Sequence, residues 1–191
     1  MDKNYMQYVD KVLNLIQDNK TISIGMKYFY ILFAIINLLI PLFVLIEILD
    51  QGLGGYPATT IIGTILIFLV VVLIGFAGFK LFWQRQKKIR DYLESKSKYI
   101  VSFAFSDIVL SFGHWLAMIV GIGIPLIYFI VLLLVDSEAL SFLNIFLPLP
   151  IKWTSIIWLV AFGFIILIFF TFISERIKIF PEIGINITKE K

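Results

Sequence analysis

The stretch TTIIGTILIFLVVVLIGFAGF, residues 59–79, contains no charged residue and lies between Asp50 and Lys80. A charged side chain at the centre of a membrane-spanning helix costs about 2.5–3.5 kcal/mol, so a charge-free interval of this length indicates a span. About 20 helical residues, each rising about 1.5 Å, cross the roughly 30 Å of hydrocarbon in a bilayer. The stretch therefore predicts a transmembrane helix over residues 59–81.

Three further charge-free intervals are long enough to cross the membrane, and they predict helices over residues 28–49, 108–135 and 153–174. The predicted loops on one side are residues 50–58 and 136–152, and a basic segment, 82–107, joins the second and third helices on the other side. The apolar runs lack the alternation of polar and apolar residues that a membrane β-barrel requires. The predicted fold class is therefore all-α, a polytopic integral membrane protein built as a bundle of four transmembrane helices.

The composition of the chain agrees with this fold class and excludes several kinds of site. Of its 191 residues, 60% are hydrophobic and 15% are charged, whereas a soluble domain has about 25% charged residues. The absence of cysteine excludes thiolate nucleophiles and Cys-ligated metals, and the single histidine, His114, excludes sites that need two imidazoles from one chain. We expect no catalytic residue, no cofactor, no metal site and no nucleic-acid partner.

The basic residues predict the orientation of the chain. All but one of the 16 lysines and arginines lie before the first helix, between the second and third helices, or after the fourth, and the exception is Lys152. A four-helix topology places those three segments on one side, and an excess of Lys and Arg marks the cytoplasmic side. The sequence predicts a multi-pass protein of the plasma membrane in which segment 1–27 and tail 175–191 are cytoplasmic. The abundance of isoleucine and lysine suggests a prokaryotic source.

Two segments outside the predicted spans have an apolar character. In residues 2–19, apolar side chains recur at helical spacing among polar ones, which predicts an amphipathic helix on the inner leaflet. Residues 137–151 are rich in leucine and phenylalanine, which predicts either a short interfacial helix before Pro148 or a patch that binds a partner.

Polar residues within or beside the spans are the candidates for function, and each also has a structural interpretation. They are Asn37, Glu47, Asp107, Ser111 and His114. Asn37 could bind a substrate or form a hydrogen bond between helices. His114 shares a helix face with Asp107 and Ser111 and could relay protons or only satisfy a hydrogen bond, whereas Glu47 could coordinate an ion or reach the headgroups.

Small residues and prolines predict how the helices pack and bend. Gly113, Ala117 and Gly121 form a stripe that permits close approach by another helix, either within the chain or in a homodimer. Pro41 and Pro125 predict kinks in the first and third helices. Both occur in an Ile-Pro-Leu sequence, which suggests a duplicated helical hairpin.

These patterns favour a non-enzymatic role as a subunit, scaffold or accessory component of a membrane assembly. The expected partners are the lipid bilayer and either another membrane protein or further copies of this chain. The alternative is a small oligomeric transporter or channel that uses Asn37, Glu47, His114 and the two prolines. A membrane-embedded enzyme is the third alternative, disfavoured because such enzymes need clustered acids, histidines or a nucleophile with its base.

Overall fold

The computed structural model of the chain describes residues 19–52, 54–94, 100–135 and 150–189, which are helical almost throughout and contain no strand. The elements are α1 (Asn19–Gln51), α2 (Ala58–Glu94), α3 (Ile100–Met118), a π-helical turn (Ile119–Gly123), α4 (Ile124–Leu134) and α5 (Trp153–Lys189). We call α3, the π turn and α4 together the third span. Residues 2–18 of the predicted amphipathic helix and the predicted interfacial helix before Pro148 lie outside the described residues.

Four helical segments are long and apolar enough to cross a membrane. They are Ile24–Asp50, Ala58–Ile89, Val101–Leu134 and Trp153–Ile179. The prediction of an all-α membrane protein with four transmembrane helices is therefore confirmed.

The helices extend beyond the predicted spans at one end of the bundle. Both α2 and α5 have 37 residues, a length of about 55 Å against roughly 30 Å of hydrocarbon. The starts of α1 and α3 and the ends of α2 and α5 form this end, which contains most of the lysines and arginines, and we call it the basic end. Helices continue past the first charged residues because lysine, arginine, glutamine and glutamate are good helix formers in water.

Contacts between the helices define two hairpins. Helix α1 packs mainly along α2, and the third span packs mainly along α5. Helix α2 joins the two hairpins through its contacts with α3 and α4. Within the described residues α5 touches only the third span, so it forms an open edge of the bundle.

The core has two buried clusters at different depths. Ile67 of α2 packs with Ile127 and Val131 of α4 near the end opposite the basic end. Nearer the basic end, Tyr30 and Phe82 belong to an aromatic cluster that includes the following ring pairs: Phe33–Phe82 at 5.5 Å, Phe33–Phe112 at 4.8 Å and Phe82–Phe112 at 5.6 Å between centroids. In lipid, such close packing replaces the hydrophobic effect as the main attraction between helices.

The two prolines have different surroundings. Helix α1 continues through Pro41. In the third span the π turn ends at Gly123, two residues before Pro125, and the N–H of Ile124 donates to the carbonyl of Ile119, five residues earlier. Because proline has no N–H and clashes with the preceding helical turn, the wider turn accommodates it. The irregularity of the third span therefore lies in residues 119–123, one turn before Pro125.

Candidate functional site

A cluster of four polar side chains joins three helices at the basic end. Nη1 of Arg85 donates to Oδ1 of Asp107 at 2.5 Å, and the hydroxyl of Tyr30 donates to Oδ2 of the same carboxylate at 3.2 Å. The Asp107 side chain is only 3% exposed. We call Tyr30, Arg85, Asp107 and Ser111 the Asp107 cluster.

Ser111 completes this cluster from within α3. Its hydroxyl donates to the backbone carbonyl of Asp107 at 2.6 Å and lies 3.5 Å from the hydroxyl of Tyr30. A buried charge is stable only when it is both paired and hydrogen-bonded, and both carboxylate oxygens have partners here. The cluster therefore links helices, and neither oxygen of Asp107 lacks a donor.

Only half of the Asp107 cluster is predictable from the sequence. The shared helix face indicates Asp107 and Ser111, whereas the sequence offers Arg85 only as one of the basic residues that set topology. Arg85 is 22 positions and Tyr30 is 77 positions away from Asp107. No spacing rule connects residues so far apart in the chain.

Asn37 lies at the contact between α1, α2 and α3, where it is 1% exposed. Its Nδ2 donates to the carbonyl of Phe33 at 2.8 Å, and Nε1 of Trp115 donates to its Oδ1 at 2.8 Å. Gly78 of α2 provides the space, because a Cβ at this position would collide with the Asn37 side-chain amide. The structure thus shows the interhelical hydrogen bond that was one of the two interpretations of Asn37.

Glu47 and His114 occupy different places. Glu47 is exposed on α1, ten residues after Asn37, which places it about 15 Å farther along the axis. His114 is half-buried on α3 beside Trp115 and so lies near the depth of Asn37. The structure does not bring Asn37, Glu47 and His114 together into one site.

The stripe of small residues on the third span packs against α5 within the same chain. A Cβ at Gly113 would collide with the side chain of Phe170. Gly121 crosses Gly163 so closely that a Cβ on Gly163 would lie 2.6 Å from the backbone nitrogen of Gly121 and 3.1 Å from the carbonyl oxygen of Ala117. The spacing of the stripe does not identify Gly163 as its partner, and the only signal in the sequence is that Gly163 is the one glycine in the predicted fourth span.

A polar contact also joins the third span to α5. The hydroxyl of Ser106 lies 2.8 Å from both the carbonyl oxygen and the hydroxyl of Ser174. Among the described residues, every buried side-chain nitrogen or oxygen has a hydrogen-bond partner. The described part of the chain also contains no group of three or more His, Asp or Glu residues that could hold a metal ion.

No family model, curated protein or solved structure matches this chain. The functional proposal therefore rests on the geometry of the four spans.

Proposed function

We propose that this protein is a non-enzymatic subunit or accessory component of a membrane assembly, and that α5 provides its contact with the assembly. The observation that carries the proposal is the open edge formed by α5. A fourth helix in a closed bundle also packs against the first or second helix, whereas the described part of α5 packs on the third span alone.

The outward face of α5 is rich in large side chains. Trp158 is 63% exposed and Phe164 is 64% exposed, and both lie on the side away from buried Leu159 and Gly163. Helices associate in a bilayer through shape and packing rather than through a hydrophobic drive. The exposed Trp158 and Phe164 side chains offer packing contacts to a partner helix, which supports a role in assembly.

The hydrogen bonds of Asn37 also favour an assembly role over transport. A transporter needs polar groups directed at a substrate path near the middle of the membrane. Asn37 instead bonds to Trp115 and to the carbonyl of Phe33. This gives less support to the alternative of a small oligomeric transporter or channel.

The assembly proposal can be tested by purifying the tagged full chain from its native membranes in mild detergent after brief cross-linking. We expect a complex that contains a second protein in fixed stoichiometry. The substitutions Trp158→Ala and Phe164→Ala should together release that protein, whereas Phe43→Ala, at an equally exposed position on α1, should retain it. A monodisperse monomer would contradict the proposal, and a complex built only of this chain would replace the accessory role with homo-oligomerisation.

We further infer that the protein lies in the plasma membrane and that its basic end is on the cytoplasmic side. The basis is the sequence distribution of the lysines and arginines, of which all but Lys152 lie in segments predicted on one side of the membrane. The chain has no cysteine, so single cysteines can report the topology. A membrane-impermeant maleimide should label Gly54→Cys in intact cells and Ser95→Cys only after permeabilisation; the reverse pattern would overturn this orientation.

A further inference from the structure

Lys80 ends the charge-free stretch of α2, a position that predicts a place at the membrane boundary. The contacts of α2 place it deeper in the membrane. Gly78 packs against Asn37, the middle residue of the charge-free stretch 28–46 of α1. Lys80 follows Gly78 by two residues, about 3 Å along α2, whereas Tyr28 is nine residues, roughly 13 Å, from Asn37. Lys80 is therefore about 10 Å inside the boundary that Tyr28 marks at the basic end.

The third span gives the same depth independently. Trp115 bonds to Asn37 and so lies at the level of Gly78. Trp115 is eight residues, about 12 Å, beyond Asp107, the last charged residue before the third charge-free stretch. Two helices thus place the backbone of Lys80 well within the apolar belt.

Lys80 also faces outward from the bundle. Its side chain is exposed, whereas Phe82, two residues later, is fully buried. Exposed Phe76 lies one turn before it on the same face. An ammonium group surrounded by lipid-facing apolar side chains is costly, so it must reach a counter-charge or the headgroup region along its flexible stem.

A polar path leads from Lys80 to the headgroup level. Trp83, Gln84 and Lys87 are all exposed and follow Lys80 by three, four and seven residues, which places them on the same helix face. The ring of Trp83 stacks on that of Phe79, four residues before it, with centroids 5.5 Å apart. Lys87 lies about 10 Å beyond Lys80, close to the level of Tyr28.

One other cation of α2 lies on a different face of the helix. Arg85 points to the opposite side of α2, where it pairs with Asp107 inside the bundle. Arg85 therefore contributes to contacts inside the bundle, whereas Lys80 and Lys87 lie on the exposed face of α2.

We propose that Lys80, Trp83, Gln84 and Lys87, which we call the Lys80 face, bind the phosphate of an anionic phospholipid. Lys87 contacts the phosphate at headgroup level, and Lys80 draws it toward the hydrocarbon past the exposed side chains of Trp83 and Gln84. A carboxylate on a partner helix would neutralise Lys80 alone. The continuous polar path to Lys87 fits a lipid headgroup better, because the headgroup enters from the membrane surface.

The test is native mass spectrometry of the purified full chain with added phosphatidylglycerol or phosphatidylcholine of identical acyl chains. Wild type should prefer phosphatidylglycerol. Lys80→Gln should weaken that binding about fivefold, since a basic residue near an anionic surface contributes about 1 kcal/mol, and should leave phosphatidylcholine binding unchanged. Lys80→Arg should retain the preference. Lys152→Gln, which removes the same charge at the other end, is the matched control and should behave as wild type.

Four results of the binding experiment would overturn the proposal. They are a wild type without preference for phosphatidylglycerol, an equal loss in Lys152→Gln, a Lys80→Gln variant that binds as wild type, and displacement of the lipid by inorganic phosphate at equal concentration. The last result would assign a free-phosphate site. A stoichiometric protein cross-link from position 80 in native membranes, without lipid preference, would assign a partner carboxylate and equally overturn it.

Discussion

Arg85 and Asp107 form an ion pair that joins α2 to α3 at the basic end of the bundle, with 2.5 Å between Nη1 and Oδ1. Tyr30 of α1 donates to the second oxygen of the same carboxylate. One aspartate therefore connects three of the helices. The pair lies beside the buried aromatic cluster of Tyr30, Phe82 and Phe112, so its loss disturbs packing as well as charge.

Removing either partner of this ion pair should destabilise the protein, and Arg85→Gln should cost more than Asp107→Asn. Arg85→Gln leaves a carboxylate that is 3% exposed, whereas Asp107→Asn leaves a guanidinium that is 16% exposed and can regain water. Stranding one charge of a buried pair costs about 3–5 kcal/mol. Unfolding in mixed detergent and SDS, followed by circular dichroism, measures the difference. The double variant should be more stable than Arg85→Gln alone, and Lys88→Gln, at an exposed position of the same helix, should change little. A larger loss in Asp107→Asn than in Arg85→Gln would contradict this role.

Asn37 and Gly78 should show strong energetic coupling. Asn37→Ala removes an interhelical hydrogen bond and should cost about 1 kcal/mol. Gly78→Ala should cost more, because its methyl group collides with the Asn37 side-chain amide. Once Asn37 is alanine, the added methyl group has room, so the double variant should be more stable than Gly78→Ala alone. Gly25→Ala, with open space around it, is the control. Additive losses in the same unfolding assay would count against this contact.

The crossing of Gly121 and Gly163 should tolerate substitution unequally. A methyl group on Gly163 meets the backbone of Gly121, which cannot move aside, whereas a methyl group on Gly121 approaches the Cα of Gly163 only to 3.1 Å. Overpacking costs about 1–3 kcal/mol. Gly163→Ala should lie at or above the top of that range and Gly121→Ala near the bottom. Equal losses, read from the denaturation midpoints of the two variants, would mean that the third span and α5 are not in such close contact.

Deletions should reveal the role of the π turn. Ile122 is exposed within this turn, and removing one residue there restores α-helical spacing without rotating α4. Removing Leu126, which is also exposed, turns the buried residues Ile127 and Tyr128 of α4 by about 100°. We expect the Leu126 deletion to abolish folding. The Ile122 deletion should lose about 3 kcal/mol, because Pro125 then lies in a regular helix, and Pro125→Ala should recover part of it. Yields of folded protein in gel filtration distinguish the two deletions.

Much of the architecture could be predicted from the sequence because the bilayer imposes simple rules on it. The stretch 59–79 had to be a helix, since only a helix satisfies all its backbone hydrogen bonds in lipid. The ends of the helices were less predictable. Helix α2 continues to Glu94 because the charged and polar residues at its end are also good helix formers in water.

The candidate site was predictable only in part. Asp107 and Ser111 lie one helical turn apart, so a single helix brings them together. The stripe of Gly113, Ala117 and Gly121 indicated close packing for the same reason. Its partner, Gly163, could not be chosen in advance, because an internal contact and a homodimer place identical demands on the stripe.

The sequence by itself determined how often the chain crosses the membrane, because the cost of burying charge in hydrocarbon depends on each residue and not on its neighbours in space. Only the tertiary structure decided which polar groups meet. Tyr30, Arg85 and Asp107 come from three helices, and their pairing depends on how those helices rotate and slide against one another. The tertiary structure also placed Lys80 on an exposed face of α2, two residues from the level of Asn37, because the level of α2 is set by the fit of Gly78 against Asn37.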